Sequence, residues 1–209
     1  MTENKNIQRR AVLKGAAWSV PVVAAAVATP LAAASTANAS IAWNGSSTSL
    51  LTLALLDGGG TLTAQVLITV PTQYTVTNGT GPLTGAATVT IAVGRPAGIN
   101  IPVGQARGFG VASVDGINTT AGERTTTYQT APIVGSFGFP ATSWTGTRTV
   151  TVASNGTLNV PVVFGLAGVS TGVAISALAT FPVTLTVVLN GRTFTSSTSI
   201  SVPVGAGIL

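Results

Sequence analysis

The sequence of 209 residues contains no cysteine and no histidine, and only 6% of its residues carry a charge. Without these residue types the chain has no disulfide, no thiol nucleophile, no ordinary zinc site and no histidine base. The last lysine is Lys14, so the rest of the chain can form no Schiff base and has no P-loop lysine. We therefore predict a protein that is not an enzyme and binds no cofactor.

The segment Gly168–Gly172 spells G-x-S-x-G, which is the pattern of a hydrolase nucleophile elbow. A serine in that position needs a base to accept its proton, and the chain has neither a histidine nor a later lysine for this role. In a chain rich in glycine and serine we interpret the pattern as a chance match.

Three carboxylates outside the first forty residues leave two further possibilities. Asp115 and Glu123 can be read as the acid pair of a glycoside hydrolase, which is the weaker interpretation because so few carboxylates are present. Calcium is the better candidate, bound either by Asp57 beside three glycines or by Asp115 and Asn118 with Glu123. Polar loop turns explain the same residues without a metal, and we favour that reading.

The first forty residues have the three-part pattern of an export signal, with a basic start, a short apolar middle and a small-residue end. We predict cleavage after Ala39, where Ala37 and Ala39 form a small-x-small site, so that residues 1–39 are a helical signal peptide. Retention as a membrane anchor is the alternative, although Pro21 and Pro30 interrupt the apolar run. The residues predicted to direct export are Arg9, Arg10, Val12, Leu13 and Lys14.

The string from Arg9 to Ser19, Arg-Arg-Ala-Val-Leu-Lys-Gly-Ala-Ala-Trp-Ser, resembles the leaders of bacterial proteins exported by the twin-arginine pathway, especially those of actinobacteria. The resemblance concerns the route and not the family of the remaining chain. It implies that the export machinery is a partner and that the protein becomes extracellular or attached to the cell surface. General secretion stays an alternative, because Gln8 and Val12 replace the more usual Ser or Thr and Phe.

Charge is nearly balanced once the leader is set aside, since five arginines face three carboxylates and leave a net charge of +2. Binding to nucleic acid by counterion release needs clustered cations, and these arginines are isolated along the chain. We therefore predict no nucleic-acid partner. The five residues are Arg95, Arg107, Arg124, Arg148 and Arg192.

Residues 40–209 are rich in Val, Ile, Leu and Thr, and they alternate apolar and polar positions. This pattern predicts an all-β fold, an antiparallel β-sandwich of about eight to ten strands that is Ig-like by analogy. One domain is expected; the alternative is two small β domains divided within residues 115–146, the least strand-like stretch. Each apolar run is too interrupted to span a bilayer, so this domain is predicted not to cross a membrane.

Turn signals predict three hairpins. Residues 49–56 and 61–70 flank the segment Asp57–Gly60 and read as one pair of strands. Asn155-Gly156 and Asn190-Gly191 each lie between alternating runs, and both positions of such a turn need a positive φ. Weaker strands are expected at residues 88–93, 99–103 and 109–114. Proline marks strand edges or bulges in three Ile/Val-Pro-Val tripeptides, at residues 101–103, 160–162 and 202–204.

Aromatic residues cluster at positions 128–144, where they either close the end of the core or offer a platform for a sugar ligand. We predict an exported, non-enzymatic β protein with a structural or adhesive role at the cell surface. The alternatives are a carbohydrate- or cell-wall-binding module that uses these aromatics, and a surface subunit that self-associates by strand addition. Envelope polysaccharide or a surface protein is the expected partner. The candidate platform residues are Tyr128, Phe137, Phe139 and Trp144.

Overall fold

A computed structural model describes residues 38–64, 67–99, 101–171 and 179–202. The predicted export residues and Ala37 lie outside these ranges. Within them the chain forms strands and one short 3-10 helix, and the named strands pair antiparallel throughout. The all-β prediction is confirmed. In the same ranges the structure contains no helix long and apolar enough to cross a membrane.

The strands differ widely in length, and β9 is the longest with 18 residues. The helix η1 is a single turn between β7 and β8. In chain order the elements are β1 (Ser40–Ser49), β2 (Thr52–Ala54), β3 (Thr61–Thr63), β4 (Ile68–Thr77), β5 (Leu83–Val93), β6 (Gly108–Val114), β7 (Ile117–Asn118), η1 (Ala121–Glu123), β8 (Arg124–Ala131), β9 (Gly135–Val152), β10 (Thr157–Ala167), β11 (Ala179–Leu189) and β12 (Arg192–Val202).

Ten strands form one continuous sheet in the order β7-β6-β10-β4-β12-β11-β5-β9-β8, with β1 paired to β4 beside this path. The strands β2 and β3 form a separate hairpin. A single residue pair, Ser201 with Thr69, joins β12 to β4 in the middle of the large sheet. We call β12, β11, β5, β9 and β8 the β11 half, and β1, β4, β10, β6 and β7 the β4 half.

The sheet curls, so that strands far apart in this order come together. The Thr142 hydroxyl of β9 donates a hydrogen bond of 2.6 Å to the Phe109 carbonyl of β6. The rings of Phe109 and Phe181 pack edge to face with centroids 5.0 Å apart, and Phe139 meets Phe181 at 5.3 Å. The apolar core therefore lies inside the curl, between the two halves.

Strict alternation decides which face of each strand is buried. In β11 the residues from Ala179 to Leu189 at every second position are buried, while Thr180, Pro182 and Thr184 between them are exposed. Successive strand side chains point to opposite faces, so this pattern places one full face in the core. Burying each large aliphatic or aromatic side chain contributes about 1.5–3 kcal/mol relative to leaving it in water.

Of the three predicted hairpins, one is confirmed and one is confirmed in part. The strands β11 and β12 pair over their whole length around Asn190 and Gly191, whose φ angles are +49° and +76°. The first hairpin is shorter than expected, because only β2 and β3 pair and β4 begins a separate strand.

The third predicted hairpin, around Asn155 and Gly156, is wrong. In the described residues β9 pairs with β5 and β8, whereas β10 pairs with β4 and β6. Asn155 has a φ of +56° but Gly156 is not left-handed, so the turn lacks the geometry that folds a strand directly back. Its backbone instead bonds the loop at residues 78–79, and the chain crosses from the β11 half to the β4 half.

The expectation that residues 115–146 are poor in strand is also wrong, since they include β7, β8 and most of β9. Alternation fails as a signal there because residues 138–140 of β9 are all buried, on both faces of the strand. The strands expected near residues 88–93 and 109–114 form within β5 and β6, but residues 101–103 are not in a strand.

Candidate functional site: a charge-free threonine face

The predicted aromatic platform does not form, because two of its four members belong to the core. Phe139 is 3% exposed and Trp144 is 1% exposed, and both are part of the hydrophobic core. Tyr128 is half-buried and its hydroxyl both donates to the Val169 carbonyl and accepts from the Val169 N–H, at 2.9 Å each. Burial raises the pKa of Tyr128 above its usual value. Phe137 is also half-buried, which leaves no pair of exposed rings among these four residues.

Two of the carboxylates proposed as calcium ligands, those of Asp57 and Glu123, accept hydrogen bonds from backbone N–H groups. The Asp57 carboxylate accepts a hydrogen bond of 2.5 Å from the Gly168 N–H. Glu123 accepts a hydrogen bond of 2.9 Å from the backbone N–H of Thr120, and this contact lowers the pKa of the Glu123 carboxyl. Among the described residues no group of three or more acidic side chains is placed to hold a metal ion.

The remaining candidates lie in turns and near the start of β1. Asp115 occupies the turn between β6 and β7 with a φ of +55°, and its N–H donates to the Pro161 carbonyl at 2.9 Å. Asn118 ends β7 and is exposed. Ala39, at the predicted cleavage site, directly precedes β1 and packs against the core.

Arginines bind backbone carbonyls of neighbouring segments. Arg95 donates to the Phe139 carbonyl at 3.0 Å, and Arg124 donates to the Leu56 carbonyl at 2.9 Å. The Arg148 guanidinium lies over the Trp144 ring, 5.1 Å from its centroid. The contacts of Arg95 and Arg124 thus join segments that are distant along the sequence, whereas Arg148 packs on a ring of its own strand.

The outer face of the β11 half carries hydroxyl and apolar side chains and none of these arginines. On β9 the outward side chains are Ser143 and then Thr145, Thr147, Thr149 and Thr151, at every second position. Neighbouring strands carry Thr, Ser or small apolar residues at the same outward positions. We call this surface the threonine face; its members are Thr125 and Thr127 of β8, Ser143, Thr145, Thr147, Thr149 and Thr151 of β9, Thr84, Ala86, Thr88, Thr90 and Ala92 of β5, Thr180, Pro182, Thr184, Thr186 and Val188 of β11, and Thr193, Thr195, Ser197, Ser199 and Ser201 of β12.

Register aligns these side chains into rows that cross the strands. Adjacent strands lie about 4.8 Å apart, and outward side chains repeat about every 6.8 Å along each strand. None of the outward positions in this described surface carries a charge. One row consists of Thr195, Thr186, Thr90 and Thr145, and the next of Thr193, Val188, Thr88 and Thr147.

Sequence reasoning missed this surface, although part of its signal was present. Threonine at every second position from Thr145 to Thr151 indicates one exposed face of a strand. The rows also need the register of four other strands, which alternation within β9 does not supply.

The face is therefore a neutral surface of hydroxyl and methyl groups, suited to contact with another neutral surface. It has no nucleophile paired with a base and no cluster of metal ligands. No family model, no curated protein and no solved structure matches this chain.

Proposed function

We propose that this protein is an exported, non-enzymatic structural protein of the bacterial cell surface and that it makes its adhesive contacts through the threonine face. The observation that carries the proposal is the absence of charge from the whole outer face of the β11 half, within the described chain. Solvated faces of soluble sheets usually carry charged side chains that oppose association. Removing a hydroxyl group from water costs less free energy than removing a charge, and removing a methyl group from water is favourable.

The leader supports the location. An export signal that resembles twin-arginine leaders favours an extracellular or surface-attached protein, with the export machinery as its first partner. The absence of histidine and cysteine, and of any lysine after Lys14, supports a role without catalysis.

A two-layered, Ig-like sandwich is our proposal for how the halves act together. It is supported by the strand pairing between β12 and β4, which consists of the single pair Ser201 with Thr69. It is also supported by the contact between Phe109 and Phe181 across the core. Two inner faces that pack in this way leave two outer faces, of which one is the threonine face.

Retention on the envelope tests the proposal in cells that produce the full chain. Thr88→Lys with Thr147→Lys places two charges in the threonine face, and we expect the fraction held in the envelope to fall several-fold in favour of the medium. The matched control is Thr61→Lys with Thr157→Lys, which adds the same charge at two exposed threonines elsewhere. Equal retention of both variants contradicts a role for the face.

A further inference from the structure

We infer that the partner of the threonine face is the threonine face of a second copy of this chain. The two β11 halves then stack face to face in a two-fold symmetric dimer. The inference rests on the proposed function, because it names what the adhesive face contacts. Shape, area and hydrogen-bonding chemistry each favour this occupant.

Shape favours another sheet over a flat surface. Neighbouring strands in a sheet rotate by roughly 20–25° relative to each other, so a five-stranded face is strongly twisted. A flat ligand surface can contact only a few rows of such a twisted face. Two sheets with the same twist pack over their whole area when their strands cross at about 30°, as they do inside β-sandwiches.

The area of the face suits a stable dimer. The face has 22 outward positions, five on each of β9, β5, β11 and β12 and two on β8. At about 4.8 Å across and 6.8 Å along the strands for each position, they cover on the order of 700 Å² in one copy. Two copies bury on the order of 1,400 Å², which lies within the range of about 1,200–2,000 Å² for specific interfaces.

Hydroxyl chemistry makes the face complementary to itself. A threonine hydroxyl donates one hydrogen bond and accepts others, so a row of threonines can bond the same row in a second copy. Rows of carboxylates or ammonium groups repel their own copies. Val188, which is 39% exposed, and Ala92 add apolar contact area within the face.

Thr88 occupies the centre of the face, on the middle strand β5 and in the middle of its outward positions. In a two-fold dimer a charge at this position is buried close to the same charge of the other copy. We expect the full chain to sediment as a dimer between micromolar and submillimolar concentrations. Thr88→Lys should raise the dimer dissociation constant at least tenfold, whereas Thr157→Lys on β10 should leave it unchanged.

Two further variants separate loss of pairing from loss of folding. Thr88→Val keeps the size and branching of the side chain and removes one hydroxyl, so we expect the dimer to persist and to weaken only a few-fold, much less than in Thr88→Lys. Because the chain contains no cysteine, Thr88→Cys introduces a single thiol. A short thiol-reactive cross-linker should join two copies of Thr88→Cys and should not join two copies of Thr157→Cys.

Sedimentation as a monomer over the whole concentration range overturns the inference, and so does a dimer that Thr88→Lys leaves intact. Envelope retention measured on the same variants distinguishes this failure from failure of the proposed function. A monomer whose retention still depends on the face refutes only the homotypic dimer. A face-dependent dimer whose retention does not change refutes the adhesive role and supports the dimer.

Discussion

The hydroxyl oxygens of Thr90 and Thr145 lie 3.0 Å apart on neighbouring strands of the threonine face. Thr48 and Thr69 form a similar pair at 2.8 Å in the β4 half. Cross-strand pairs of this kind contribute roughly 0.2–1 kcal/mol each and favour one register. Threonine pairs thus stabilise the strand register in this sheet. Many other exposed sheets use ion pairs for that purpose, and this one does not need them.

The hydrogen bond from Thr142 to Phe109 joins β9 to β6 inside the curl. Thr142→Val leaves the Phe109 carbonyl buried without this donor, and we expect the free energy of unfolding to fall by about 1–2 kcal/mol. Thr147→Val makes the same change at an exposed position of β9 and should alter stability by less than about 0.5 kcal/mol. Urea unfolding at low protein concentration measures both. Equal stability of the two variants contradicts a structural role for this bond.

Burial raises the pKa of Tyr74 to about 12 from 10.0, with a smaller contribution from the Asp115 charge. The folded protein therefore holds this proton more tightly than the unfolded chain does. Its contribution to stability is complete below pH 10 and is lost as the pH rises from 10 to 12. A shift of this size corresponds to about 2–3 kcal/mol.

Tyr74→Phe should remove most of that alkaline loss, as measured by urea unfolding across the same pH range. At neutral pH the variant should be at least as stable as the natural chain, because the buried Tyr74 hydroxyl has no hydrogen-bond partner in the described part of the chain. Tyr128→Phe is the comparison, since it removes the Val169 contacts and the raised pKa of Tyr128 but keeps the titration of Tyr74, and it should keep most of the alkaline loss. An unchanged alkaline slope in Tyr74→Phe refutes the assignment.

The fold class could be predicted because apolar and polar residues alternate within each strand, which a short stretch of sequence shows. The hairpin at Asn190-Gly191 could be predicted for the same reason, since the turn itself selects the partner strand. The same dipeptide at Asn155-Gly156 predicted the wrong pairing, because β10 pairs with β4, about eighty residues earlier in the chain. Contacts at that separation depend on the whole core, which no short window reports.

Proline and aromatic residues show the same limit on the scale of single residues. Pro161 was expected at an edge or a bulge, and it ends the pairing of β10 with β4 just before the pairing with β6 begins. The proline thus lies where β10 changes its partner strand, but the sequence does not indicate which strands are the partners. Trp144 and Phe139 were candidates for a ligand platform, and their burial depends on strands that local patterns did not predict.

Gly191 adopts a left-handed conformation, and a Cβ added to it would meet no atom within 4 Å. Gly191→Ala should therefore destabilise the protein by about 1–2 kcal/mol through backbone strain alone. Gly122→Ala is the control, because Gly122 also faces open space but is not left-handed. We expect the control to be neutral or slightly stabilising. Thermal unfolding of both variants should show a lower midpoint for Gly191→Ala only, and similar midpoints would contradict the assigned turn.

The leader arginines offer a test of the export route. Arg9→Lys with Arg10→Lys keeps the positive charge but removes the guanidinium pair, and we expect the uncleaved chain to accumulate inside the cell. Arg107→Lys with Arg192→Lys makes the same chemical change outside the leader and should leave export intact. Immunoblots of cell and medium fractions measure the outcome. Normal export of the leader variant would assign the protein to general secretion.

Asp57 joins the loop after β2 to the end of β10 through its bond to the Gly168 N–H. Asp57→Ala removes this acceptor, and we expect the free energy of unfolding to fall by about 1 kcal/mol. Asp115→Asn should change little, because asparagine tolerates the left-handed conformation of that turn. Neither calcium nor a chelator should move the thermal midpoint of the natural chain, because the Asp57 carboxylate already accepts a hydrogen bond from the backbone. Stabilisation by calcium that disappears in Asp57→Ala would instead establish this loop as a metal site.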